Sequence, residues 1–500
     1  MIPFPLLSII IFWPLAGGLL SLMFWRYPEQ CRRVGLGVAA VEMLLVLLPL
    51  FWGLHPDPHD GWLLVEDFSW IPRFGIRYSL GLDGISQVLL LLTALLGIMS
   101  VLVSWRQVTA RVGMFYCMLL WTQSAVMGVF LATDLFLFYL FWEMQLVPML
   151  FLIGIWGHEK RVYAAVKFFL FNIAGGLLML AALIGLYLAH GRMTGEYTFA
   201  LSRLLQAQVM PHLQMWLFAG FLLSFAIKIP VFPLHTWLPD AHTEAPTAGS
   251  IILAGLLLKT GCYALLRIGV PVFPAAAARF MPIVLMLGLA GVIYAAWIAL
   301  AQRDMKRLVA YSSIGHMGIL VLGLAVWDTM TLSGAVLQMV NHGITTAALF
   351  ILVGMLDERF HSRELADFGG IWKSMPIFSG FFLLFSLASL GLPGLNNFVS
   401  EIIILLGVFR ASPAAGTVAF ATIVLTLVYV LKLVQETLYG PPGRMQDSRD
   451  LNARELVILL PLALVVLGIG LYPGPVLSLL HEPVSRLVRQ AGHFMLAGLM

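Results

Sequence analysis

Long apolar runs separated by short polar segments repeat along the whole 500-residue chain. Most reach the roughly 20 residues that carry a helix across a bilayer. They predict spanning segments at 3–24, 34–53, 84–105, 113–131, 134–156, 162–189, 213–238, 247–269, 280–300, 308–327, 330–355, 376–409, 415–438 and 456–479. The expected fold is an all-α integral membrane protein of about fourteen transmembrane helices. Two segments carry breakers inside them. Pro230 and Pro233 interrupt FAIKIPVFPLHTWLPD, and Gly391, Pro393, Gly394, Asn396 and Asn397 interrupt SLASLGLPGLNNFVSE. Proline removes a helix hydrogen bond, so each segment should be discontinuous. Paired broken helices point to two inverted repeats with a site near the midplane. The candidate halves are helices four to eight and nine to thirteen, although direct similarity between them is poor. Lys228 to Lys259 and Glu401 to Lys432 are both 31 residues apart. The corresponding division is 1–110 (helices one to three), 111–270, 271–440 and 441–500.

Composition agrees with a membrane protein. Hydrophobic residues make up 60% and charged residues 11%, with mean hydropathy +0.94. A soluble domain carries about 25% charged residues. The net charge of +4 is too small to suggest nucleic acid. Cys31, Cys117 and Cys262 lie far apart, which gives neither a metal spacing nor a disulfide. The N-terminus lacks the basic n-region of a signal peptide and reads as the first span. Sixteen of the 29 Lys and Arg residues fall in one set of alternating loops and nine in the other. The remaining four are Lys167, Lys228, Lys259 and Lys432, within spans. By the positive-inside rule the richer set, including Lys306 and Arg444, is cytoplasmic, and both termini lie outside. The long outer loop from His55 to Leu82, with Asp57, Asp60, Glu66 and Asp67, should form a surface cover of short strands or turns. Arg192 to His212 should be a similar loop.

The chemistry lies in charges placed where they are expensive. A charged side chain at the bilayer centre costs roughly 2.5–3.5 kcal/mol on insertion scales, and such groups commonly mark ion pathways. Glu143 sits in the middle of LFLFYLFWEMQLVPMLFLIGIW. It could pair with Lys228, either as a structural bridge or as a pair that opens and closes; buried pairs contribute little net stability. Lys259 has no carboxylate near it in sequence and lies midway along its segment, which argues against snorkelling. Glu401 follows the second break. Lys432 and Lys167 are closer to segment ends and read more simply as snorkelling groups. His235 is seven residues after Lys228 and could share its face, while His316 and His342 sit in apolar helices. Each is either a hydrogen-bonded packing residue or a relay, since histidine titrates near neutrality. His242, with Asp240 and Glu244, reads as a loop cluster in which metal binding is the less favoured account. Asp134 reads as a helix cap.

The runs FLFYLFWEMQLVPMLFLIGIWG, KIPVFPLHTWLPDAHTEAPTAGSIILAGLLLKTGCYALLR, DMKRLVAYSSIGHMG and GLPGLNNFVSE resemble the antiporter-like subunits of proton-translocating NADH:quinone oxidoreductase, respiratory complex I. The resemblance covers essentially the whole chain. Multisubunit cation/proton antiporters and membrane-bound hydrogenases share these motifs and are the alternative. Among the three antiporter-like kinds, L, M and N, the glutamate at position 401, the WIPRFGIRYSLGLDGIS run and the absence of a long lateral helix resemble M.

The resemblance implies a proton-translocating subunit that performs no redox chemistry and holds no cofactor or metal. Glu143 and Lys228 would be a control pair, Lys259 the central proton carrier, and Glu401 the exit-side group, with His235, His316 and His342 along the axis. It implies L and N neighbours in the membrane arm, the lipid bilayer and protons as partners, and an inner-membrane location with periplasmic termini. A membrane scaffold with vestigial charges is a third reading, which the number of charges within spans disfavours.

Overall fold

The computed structural model describes residues 5–53, 56–57, 61–206, 209–441 and 449–495. Asp60 and Arg444 lie outside these residues. The helices are α1 (Leu6–Met23), α2 (Pro28–Phe51), α3 (Gly84–Gln107), α4 (Val112–Leu131), α5 (Leu135–Met144), α6 (Leu146–Trp156) and α7 (Arg161–Thr194). They continue with α8 (Pro211–Lys228), α9 (Trp237–Glu244), α10 (Thr247–Val272), α11 (Pro274–Ala301), α12 (Met305–Ala325) and α13 (Thr329–Phe360). The last are α14 (Pro376–Leu390), α15 (Asn396–Ala411), α16 (Pro413–Leu438), α17 (Ala453–Leu471) and α18 (Gly474–Met495). Taking α5 and α6 together, twelve helices among the described residues are long and apolar enough to cross a membrane. The other two predicted segments are the broken pairs α8–α9 and α14–α15. The protein is a multi-pass membrane protein.

Both breaks fall at the predicted residues. The first runs through residues 229–236, around Pro230 and Pro233. The second turns at Gly391 and Gly394, whose φ values of +78° and +92° suit glycine. Two interruptions were not legible in the sequence. The run 134–156 divides at Gln145, directly after the turn that carries Glu143. The segment predicted as 456–479 ends at Leu471, and after Pro473 a separate amphipathic helix, α18, lies against α3, α11 and α13.

Aspartates set several helix starts. Asp83, Asp304 and Asp328 accept backbone N–H bonds from the first turns of α3, α12 and α13. Asp134 caps α5 through Phe136 N at 3.0 Å and Leu137 N at 3.1 Å, and also receives Arg77 N at 3.2 Å. Arg77 belongs to a hairpin of β1 (Leu64–Ile71) and β2 (Ile76–Leu82), antiparallel with Leu64 opposite Leu82. The expected outer cover is therefore a β-hairpin, locked by an Arg77–Asp67 pair at 2.6 Å. A short helix, Leu201–Leu204, lies in the second outer loop.

Helices α10 and α13 form the centre, and the most apolar window of each is wholly buried. They approach at glycines: a Cβ on Gly343 would meet Gly255 O at 3.0 Å. Close approach at small residues is how membrane helices pack without a hydrophobic drive between them. Helix α10 also contains π-helical turns at Leu253–Leu257 and Leu265–Gly269.

At the face that carries Lys306 and Arg363, the imidazole of His158 lies 3.6 Å from Asp357. Burial, then Lys306 and Arg363, hold its pKa down at about 4, against Asp357 and Asp304. The folded value lies below the ordinary value of about 6.5, so the unfolded chain takes the proton first. Thermal stability of the purified assembly should fall as pH drops from about 6.5 towards 4, and His158→Gln should flatten that dependence. At the opposite face, Asp134→Ala should cost about 1–2 kcal/mol and Asp134→Asn distinctly less, read from thermal unfolding.

Candidate functional site

The polar side chains that the apolar pattern could not accommodate gather inside the bundle. Glu143 lies on the last turn of α5, and its carboxylate rests on Gly176 of α7, where a Cβ would come within 1.8 Å of Oε1. Lys228 ends α8, is 1% exposed, and places Nζ 5.1 Å from the centre of the Trp142 ring. Neither Lys228 Nζ nor Glu143 Oε1 has a hydrogen-bond partner. The anticipated ion pair is therefore open: the ammonium sits over the indole while still feeling the carboxylate's charge. Cation–π contact with tryptophan supplies part of what a carboxylate would.

The stem of Lys228 packs on α10 at Gly261, where a Cβ would lie 3.2 Å from Lys228 Cβ. Two residues earlier, fully buried Lys259 donates to Ala254 O at the first π-turn and lies 2.7 Å from His342 Nδ1 on α13. π-turns inside α-helices occur frequently at functional sites. The sequence offered Lys259 no partner, because His342 is 83 residues away.

The His342 and His316 rings are 5.6 Å apart. His316 Nδ1 faces Ser312 O at 2.8 Å, Nε2 faces Ser389 O at 2.8 Å, and Nε2 is 3.8 Å from Glu401 Oε1. Both carbonyls only accept. A neutral imidazole donates at one nitrogen and satisfies one carbonyl, whereas the protonated ring satisfies both. Glu401 also receives Gln338 Nε2 at 3.1 Å. Gln338 accepts from Ser400, Ser400 accepts from Asn341, and Asn341 donates to Asn396 O, so α13 is tied to the second break.

Other expectations change. His235 lies within the break that follows Lys228, so a shared helical face does not exist; its ring packs on Phe232 and Tyr294 at 5.6 and 4.9 Å. His242 is no loop cluster: it is 0% exposed, stacked 4.6 Å from Phe350, with neither nitrogen hydrogen-bonded. Asp240 instead pairs with Lys167 at 2.7 Å, and Glu244 receives Lys160 N at 2.8 Å. Lys306, expected in a cytoplasmic loop, is 3% exposed and donates to Ala245 O at 2.5 Å. Lys432, half-buried, donates to Leu300 O at 2.9 Å.

Sequence reasoning missed Gln338 and Asn341, and it placed His242 and Lys306 in loops. The signal for the first two was available: Gln338, Asn341, His342 and Thr345 fall at helical spacing on one face of α13. It also missed Glu42, 0% exposed on α2, with neither carboxylate oxygen partnered.

The family model for NADH:quinone oxidoreductase/Mrp antiporter transmembrane regions matches residues 132–426, which contain every group of this axis. NADH-quinone oxidoreductase subunit M of Pseudomonas aeruginosa is 44% identical, covering 94% of this chain and 95% of that protein. Subunit M of Escherichia coli K12 is 41% identical, covering 96% and 97%. The fold matches a chain of respiratory complex I from Thermus thermophilus with bound NADH, with TM-score 0.89 and 32% identity, over 97% of this chain and 100% of that one. A chain of the Mrp complex from Dietzia sp. DQ12-45-1b shares the fold, with TM-score 0.85 and 20% identity over 99% of this chain and 100% of that one. With near-complete coverage at this identity, the chain belongs to the NADH-quinone oxidoreductase subunit M family.

Proposed function

We propose that this chain is a proton-translocating membrane subunit of an NADH:quinone oxidoreductase, driven by electron transfer elsewhere in the complex. One observation carries the reading. Half-buried Glu143 and buried Lys228, Lys259, His342, His316 and Glu401 occupy successive places through an apolar bundle, in a chain 44% identical to a subunit M. Buried ionisable groups at membrane depth are costly and typically belong to ion pathways.

Glu143 and Lys228 act as the control pair. Closing it draws Lys228 off the Trp142 ring; opening it returns the ammonium to that ring. The change in charge near Gly261 alters the hold of Lys259 on its proton. His342 lies within hydrogen-bond reach of Lys259 and takes the proton onward past His316 to Glu401, the exit-side group. His235 lies in the first break and His242 on α9 just after it. The broken pairs α8–α9 and α14–α15 each count as one crossing, giving fourteen spans, ten of them in two inverted five-helix repeats, with breaks that admit water. Both termini then face the periplasm of an inner-membrane complex. L- and N-type subunits flank this one, and the redox cofactors belong to other subunits.

In inverted membrane vesicles, Glu143→Gln should preserve assembly and abolish NADH-driven acidification. Normal pumping at matched assembly would overturn the reading. Gly176→Ala should displace the Glu143 carboxylate and cut pumping several-fold, whereas Gly380→Ala, where a Cβ meets nothing within 4 Å, should leave it unchanged.

A further inference from the structure

We propose that the Lys259 centre has its own polar outlet along α10, through Tyr263, Ser86, Asp83 and Arg267, into a cavity beneath the β-hairpin. This rests on the reading of Lys259 as a proton carrier. Tyr263 lies one helical turn after Lys259 on the same face of α10, where Cβ atoms are about 6 Å apart, and water entering between the two side chains joins them when the outlet is open. Its hydroxyl donates to Phe130 O at 2.9 Å and is 3.3 Å from Ser86 Oγ. Ser86 donates to the same carbonyl at 2.7 Å. Asp83, capping the turn that holds Ser86, accepts Ser86 N at 2.9 Å and pairs with Arg267. The Arg267 guanidinium lies 4.9 Å from the Trp62 ring and 5.6 Å from the Tyr263 ring.

By charge, Arg267 is one of the nine Lys and Arg residues of the outer set, at the edge of the predicted span 247–269. It is 8% exposed and belongs to the second π-turn. Beyond the pair lies a cavity of about 740 Å³, lined by Trp62, Asp67, Arg77, Asp83, Arg267 and Arg486 among others. Its volume and polar walls suit several waters. The lining charges are mostly paired: Arg77 with Asp67, Arg267 with Asp83, and Arg486 with Glu482. The cavity is thus suited to water rather than to a bound anion.

Both hydroxyls donate to Phe130 O, so the chain is interrupted at rest. Conduction requires Tyr263 to turn its hydrogen to Ser86 Oγ. The tyrosine oxygen then accepts a proton from the Lys259 side as its own passes to Ser86. Ser86 in turn passes its own to a cavity water or to Asp83, and each hydroxyl ends with one proton. Arg267 positions Asp83 and fixes its charge at the mouth. This outlet runs beside the route through Glu401, and Phe130 O is its gate.

Two measurements on the assembled complex test it. First, Ser86→Cys in membranes should react with a membrane-impermeant cationic thiosulfonate added from the hairpin side only, above the wild-type background of three buried cysteines. No labelling from that side would overturn the outlet. Second, Tyr263→Phe, which keeps the edge-to-face contact with Phe130 at 5.3 Å between ring centres, should lower NADH-driven pumping several-fold at matched assembly. The pumping that survives in Glu401→Gln should vanish in Glu401→Gln/Tyr263→Phe. If Lys259→Ala abolishes pumping and Tyr263→Phe changes neither background, the outlet falls and the carrier reading stands. If Lys259→Ala pumps normally, both fall.

Discussion

The arrangement of this structure turns on an amino group buried at the centre of an apolar bundle, out of contact with bulk solvent. Lys259 is fully buried at the centre of the bundle, and its charge is met by Ala254 O and by His342. Each partner imposes a condition on the fold. The carbonyl belongs to a π-turn, which widens α10 at that point. The imidazole is within reach only because Gly255 and Gly343 bring α10 and α13 together. Lysine, π-turn and glycine pair therefore form one unit, and the surrounding helices shield it from lipid.

The two broken helices solve the same difficulty differently. A continuous helix uses up its backbone groups internally and offers nothing to a buried charge. Interrupting α14–α15 leaves Ser389 O facing His316 and turns Asn396 and Ser400 towards Gln338 and Asn341. Glu401 is thereby held in a network of amides and hydroxyls. The first break has a different character. It leaves Lys228 Nζ and Glu143 Oε1 without hydrogen-bond partners, with tryptophan supplying the ammonium's near contact. An unsatisfied pair at one end and a hydrogen-bonded carboxylate at the other suit the proposed device, in which the pair changes state and Glu401 receives the result. Both segments lie within residues 132–426, the stretch shared with the wider family.

At the two faces the chain relies on ordinary soluble-protein devices. Aspartate caps begin α3, α5, α12 and α13, and an Asn452–Glu455 capping box begins α17. The hairpin hydrogen-bonds to the α5 cap through Arg77 and Asp134, and α18 closes over the same face. These contacts fix the helix ends from which the interior groups are positioned.

The sequence alone determined where the chain is apolar, where it must break, and which charges lie at membrane depth. Each is a one-dimensional property: run length, proline and glycine placement, and a charged residue inside a run. It also carried the family, since the motifs around Glu143, Lys228, Lys259 and Glu401 are contiguous. Only the tertiary structure decided which charges meet. Lys259 finds His342 from 83 residues away, Lys228 rests on tryptophan and leaves Glu143 unpaired, and Lys306 and Arg267 turn inward from positions that read as a loop and a span edge. Those outcomes depend on helix rotation, on glycine-to-glycine approach and on π-turns. All three are set by packing between distant segments, and none leaves a periodic trace in the chain.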